Sequence, residues 1–208
     1  MLKGYEEVDY GLIKQLDPKP FDYGFEYSNN YVKLGVLGLQ MAHLRYGFIR
    51  GALGDVKIDS VLDVGYGNGD FLKVAAKDIS GCFGTDISNE YPVPPDCSFV
   101  DRVDSQHYDL ITFFDSLEHM HDISFVESLK CSFVCISLPW CHYHSDEWFD
   151  TWKHRKPDEH IWHFNDKSLV SYMDAMGFDP LCISNIEDVI RKGVDSFENI
   201  LTGVFKKR

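Results

Sequence analysis

Positive charge is scarce in this sequence. Twenty Lys and Arg stand against 33 Asp and Glu in 208 residues, a formal net charge of −13. Nucleic-acid backbones are bound by clustered cations, so no nucleic-acid partner is expected. Long apolar runs are missing too, and with them any segment able to span a bilayer, so no membrane partner is expected. The opening residues, Met-Leu-Lys-Gly-Tyr-Glu-Glu-Val-Asp-Tyr, hold no apolar stretch of the signal-peptide kind. The six cysteines (Cys82, Cys97, Cys131, Cys135, Cys141 and Cys182) form no C-x-x-C pair. That points to a reduced, cytoplasmic setting. Repeats and low-complexity tracts are also lacking. A hydrophobic content of 44% with 25% charged residues fits one globular domain with a buried core.

The stretch that organises the chain is 57–69, Lys-Ile-Asp-Ser-Val-Leu-Asp-Val-Gly-Tyr-Gly-Asn-Gly. Ile58, Val61, Leu62 and Val64 read as a buried strand. Gly65, Gly67 and Gly69 then allow a sharp turn and close approach of a ligand to the backbone. Residues 70–77 follow with helical spacing, so free N–H groups at a helix start face back into the loop. The result is the first half of a nucleotide-binding α/β unit. The spacing is G-x-G-x-G, with Asp70 where the dinucleotide fingerprint G-x-G-x-x-G has its third glycine. Asp63 at the strand end would repel a pyrophosphate and suits an ammonium group. A tight turn without a ligand is the plain alternative for three glycines alone.

Along the chain, residues 1–28 look irregular and about 30–53 helical. Tyr27, Tyr31 and Arg45 in that region are either cofactor contacts or ordinary packing and surface residues. A second strand, 81–87, ends in Asp86, whose two oxygens suit a ribose diol. Either no helix or a short one follows, because 89–95 is Pro-rich. Strands are expected at 97–100, 108–114, 132–139, 178–183 and 198–206. Helices are expected at 123–130 and from Asn165 or Asp166 to a Gly177 cap.

At Asp63-x-Gly65-x-Gly67-x-Gly69 the chain resembles the class I S-adenosylmethionine (SAM) methyltransferases, whose first motif is D/E-x-G-x-G-x-G. Asp115, Leu117, Glu118, His119 and Asp122 match D-x-L-E-H-x-x-D, found after the fourth strand in many small-molecule members. Glu159, His160 and Phe164 match E-H-x-x-x-F before the last helix. The resemblance implies a three-layer αβα sandwich, Rossmann-like, with a mostly parallel seven-stranded sheet and an antiparallel C-terminal strand. It also implies SAM as cofactor, held by Asp63, Gly65, Gly67, Gly69, Asp86, Ile87, Asp101, Phe114, Asp115 and Leu117. The family's longer helix and Pro-Gly-Gly turn before the fifth strand are missing, which marks a trimmed member.

Residues 140–163 hold all four tryptophans and five of the nine histidines. Leaving the carboxyl end of the fifth strand, this segment is read as an acceptor-binding lid, with Trp140, Trp148 and His163 as acceptor contacts. His142, His144 and His119 are the candidate general bases for a hydroxyl acceptor. A zinc site built from His119-x-His121 and His142-x-His144, with Glu118 and Cys141, matches no established metal spacing, so no metal is expected. The chain then divides into an N-terminal cap (1–55), a cofactor half (57–139), the lid (140–163) and a closing helix with two strands (164–208). The expected function is SAM-dependent methylation of a small molecule, such as a hydroxylated metabolite or sugar. No Asn/Asp-Pro-Pro-Tyr follows the fourth strand, which speaks against methylation of nucleic-acid base amines. The rival readings are a catalytically silent SAM-binding partner protein and an NAD-dependent oxidoreductase.

Overall fold

A computed structural model describes residues 2–24, 35–88, 90–193 and 196–208. Its strands are β1 (Tyr5–Val8), β2 (Leu12–Gln15), β3 (Ser60–Val64), β4 (Gly81–Thr85), β5 (Cys97–Phe99), β6 (Tyr108–Phe114), β7 (Cys131–Pro139), β8 (Trp162–His163), β9 (Phe178–Ser184) and β10 (Ile200–Lys207). The α-helices among the described residues are α1 (Val36–Leu53), α2 (Asp70–Ala75), α3 (Asp146–Thr151) and α4 (Asp166–Ala175).

Seven strands form one sheet in the order β5-β4-β3-β6-β7-β10-β9. Pairing is parallel from β5 to β7, while β10 runs antiparallel to both β7 and β9. The central strands are apolar on both faces, as a covered parallel sheet requires. Leu62, Ile111, Val134 and Ile136 face one core with α4. Val61, Leu110 and Cys135 face another with α1 and α2. This is the expected αβα sandwich. Helix α4 starts at Asn165, whose side chain accepts from the Ser168 amide while the Ser168 hydroxyl accepts from the Asn165 amide.

Several expectations need correction. Residues 1–28 are not irregular throughout. β1 and β2 form an antiparallel hairpin, and β2 pairs with β8 to make a second, three-stranded sheet. Apolar residues drive it: Tyr5, Leu12 and Ile13 are buried, and Tyr5 and Ile13 meet Cys141, Phe149 and Trp152. The stretch 123–130 holds only a 3-10 turn at Ser124–Ser128, because Leu129 already leaves into β7. Tyr27 and Tyr31 lie outside the described residues.

Candidate functional site

The loop between β3 and α2 is built by positive φ angles at Gly65 (78°), Gly67 (55°) and Gly69 (74°). A Cβ on Gly65 would stand 2.7 Å from that of Ser116, and one on Gly69 would run into the Pro94 ring. The Ser116 hydroxyl meanwhile donates to the Val64 carbonyl at 2.6 Å, holding the post-β6 turn against the loop. Gly65→Ala should therefore cost about 1–3 kcal/mol of stability through strain and displaced Ser116. Urea denaturation measures this, and an unshifted midpoint would show that the turn yields freely. Asp86 closes the loop from β4. Its Oδ2 accepts from the Gly67 amide at 2.9 Å and its Oδ1 from the Ser88 amide at 2.8 Å.

A cavity of about 650 Å³ lies beyond the carboxyl ends of β3, β6 and β7, where open α/β sheets take their ligands. Asp63, Gly65, Tyr66, Asn68, Phe114 and Asp115 line one part of it. Asp63 is 2% exposed and accepts from the Thr112 hydroxyl at 2.7 Å. Burial pushes its carboxyl up to about 7. Arg45 lines another part and is no surface residue. Its Nε meets Glu187 Oε1 at 2.6 Å, and a terminal nitrogen meets Asp115 Oδ2 at 2.8 Å. Arg191 joins the same two carboxylates, at 2.7 Å from Asp115 and 3.1 Å from Glu187. Burial works against Asp115, yet the two arginines hold its pKa below the usual carboxylate range.

The aromatic segment also lines the cavity, through residues other than those expected of it, and the candidate base His119 joins them. The lining residues here are His119, His154, Lys156, Glu159 and His160. Burial lowers the pKa of His119 and His154 to about 4 each, and that of His160 to about 2. The acceptor residues expected from sequence lie elsewhere, outside the cavity lining. His142 stacks between Trp140 and Phe197 and reaches the Glu198 carbonyl at 3.0 Å. His144 is exposed beside Trp148, which stacks on Trp152. His163 is 3% exposed, packed edge-on to Phe149 near Tyr5 and Trp152. The tryptophan concentration thus serves largely to pack the N-terminal hairpin onto the body. Of the expected cofactor residues, Asp63, Gly65, Phe114 and Asp115 reach the cavity. Gly67, Gly69 and Asp86 shape its edge, Ile87 and Asp101 are exposed, and Leu117 is core. Glu187 and Arg191 were not singled out by sequence reading. Their i, i+4 spacing is the one signal that pointed to them.

A protein-family model described as a methyltransferase domain matches residues 41–183, more than half of the chain, and the chain belongs to that family. Its fold is shared at low identity. The SAM-dependent methyltransferase of Clostridium acetobutylicum superposes with a TM-score of 0.59 at 12% identity, covering 88% of this chain and 98% of that one. The 1,6-didemethyltoxoflavin-N1-methyltransferase of Burkholderia thailandensis, with S-adenosylhomocysteine bound, gives 0.59 at 14%, with 98% of each chain covered. A putative SAM-dependent methyltransferase of Listeria monocytogenes gives 0.56 at 15%, covering 80% and 99%. No curated protein sequence matches the chain.

SAM is the methyl donor of this family, and the residues present fit it. Asp63 is a buried cavity carboxylate that a ligand's ammonium group would satisfy, and the glycine loop brings bare backbone to the same wall. No helix among the described residues is long and apolar enough to cross a membrane.

Proposed function

We propose that this protein methylates a small, oxygen-bearing acceptor. The observation that carries the reading is one cavity lined by two kinds of group. Gly65 and Asp63 line it together with three imidazoles, Lys156 and Glu159. In this reading Asp63 receives the donor's ammonium group. Asp86 keeps acceptor capacity for a ribose, and the neighbouring Ile87, 81% exposed, gives an apolar surface for a flat ring. The sulfonium methyl is already electrophilic, so the chain's task is positioning and the exclusion of water. The acceptor enters against His119, His154 and His160. Burial keeps these imidazoles neutral and hence able to accept a proton or a hydrogen bond.

Calorimetry tests the cofactor half directly: SAM binds and NAD gives no heat. Tight NAD binding with no response to SAM would sink the reading. A screen of metabolite extracts with methyl-labelled SAM then finds the acceptor. SAM binding with no transfer to any extract would favour the silent-partner alternative.

A further inference from the structure

Glu118 has no part in the reading above, yet it is an anomalous buried group beside the cavity-lining His119 and His160. It is 1% exposed, and neither carboxylate oxygen has a hydrogen-bond partner. A buried carboxylate left so is costly, and a proton or a cation relieves it. Both its neighbours are imidazoles. Ligand atoms of Glu118, His119 and His160 all lie within 4.8 Å of one another. Glu118 Oε1 stands 3.7 Å from His119 Nε2, too far for a hydrogen bond. Two ligands on one tetrahedral ion, with bonds of about 2.0–2.2 Å, stand roughly 3.4 Å apart. The widest separation in the trio, no more than 4.8 Å, would contract by at most about 1.4 Å.

The outer nitrogens are already held as in metal-binding histidines. His160 Nδ1 lies 2.8 Å from the His154 carbonyl. A carbonyl only accepts, so Nδ1 carries the proton and the Nε2 lone pair is free. His119 Nδ1 lies 3.1 Å from the Tyr23 hydroxyl, again leaving Nε2 inward. The His154 carbonyl fixes the tautomer of His160, and both partners hold their rings in orientation. The backbone sets the meeting: the Ile161 amide donates to the Glu118 carbonyl at 2.9 Å, which lays His160 beside Glu118 and His119.

We infer that Glu118, His119 and His160 bind one divalent first-row transition-metal ion, through a Glu118 oxygen and the two Nε2 atoms, with its open positions toward the cavity. Two imidazoles and one carboxylate suit zinc or its neighbours better than magnesium. Both histidines line the cavity. On the methyl-transfer reading, on which this last step rests, the open positions select an acceptor that offers adjacent oxygens, such as a diol or a hydroxy acid.

The test uses the full chain, stripped with a chelator and titrated with Zn²⁺ by calorimetry, without methyl donor or acceptor. One ion per chain is expected, with Mg²⁺ at least about tenfold weaker. Glu118→Gln and His160→Gln should each weaken Zn²⁺ by about 100-fold or more, and Tyr23→Phe by about tenfold. His121→Ala, on an exposed side chain, should change nothing. Glu118→Gln keeps the size and neutrality of a buried acid whose pKa burial raises, so it should melt close to the stripped wild type while losing the Zn²⁺-induced rise in Tm. Absence of saturable Zn²⁺ binding, or binding unchanged in both Gln variants, overturns the site. SAM binding is measured on the same sample. A chain that binds SAM and not Zn²⁺ fails this inference alone, and one that binds Zn²⁺ and not SAM fails the methyl-transfer reading.

Discussion

Arg45→Ala should lower unfolding stability by about 3–5 kcal/mol. The guanidinium of Arg45 bridges two carboxylates: Glu187, fully buried, and Asp115, half-buried at the cavity. It also lies over the Phe114 ring at 4.4 Å. Burial disfavours its charge, but the two acids outweigh this and raise its pKa. Without it, Glu187 keeps Arg191 at 3.1 Å and the Ser137 hydroxyl at 2.5 Å. That remnant moves the expected loss toward the lower end of the range. The effect is large because the network joins three stretches that are remote in sequence: α1, the turn after β6, and the 3-10 turn Ile186–Val189. Arg45→Lys keeps the charge but loses the fork that reaches both acids, and should recover only part of the loss. Urea denaturation reads the series. An unchanged midpoint for Arg45→Ala would mean that Arg191 alone neutralises both acids.

The sheet was legible where local pattern and burial agree. β6 occupies the same residues, 108–114, that its apolar run marks, and β3 and β7 differ from expectation by a few residues at their starts. The N-terminal hairpin was hidden because its buried face is short and its third strand, β8, comes about 150 residues later. Its turn also depends on Tyr10 in the left-handed region, at φ 66°. The same distance effect divided the site. The glycine loop and the Asp115-to-His119 motif are each contiguous, so each could be read from its own stretch. The pairing of His119 with His160 is a product of the Ile161–Glu118 hydrogen bond, and no spacing within either motif encodes it. Composition misled as well. An aromatic-rich segment beside a site invites an acceptor reading, whereas Phe149, Trp152 and His163 pack under the hairpin and the lining comes from the polar residues between them.

Asp63→Asn should flatten the pH dependence of both stability and SAM affinity. Burial raises the Asp63 carboxyl from 3.8 to about 7 in the folded chain, although the Thr112 hydroxyl bond and Arg45 work against the shift. Between these two values the native state holds a proton that the unfolded chain has released. Stability therefore falls as pH rises through that window and levels off above it. The loss attributable to this one group is about 4 kcal/mol at most. In Asp63→Asn the amide stays neutral throughout, so the wild-type-minus-variant difference should show the slope even though other groups titrate nearby. Ligand binding should have the opposite sign. An ammonium group beside Asp63 favours the carboxylate, so wild-type SAM affinity should rise from pH 6 to pH 8 with release of a proton. The variant should bind SAM more weakly at pH 8 and show little change with pH. Urea titrations at several pH values and calorimetry in buffers of different ionisation heat measure the two halves. Parallel stability profiles for the two proteins would show that Asp63 is already ionised in the free fold. SAM affinity of equal pH dependence in both would place the ammonium group elsewhere in the cavity.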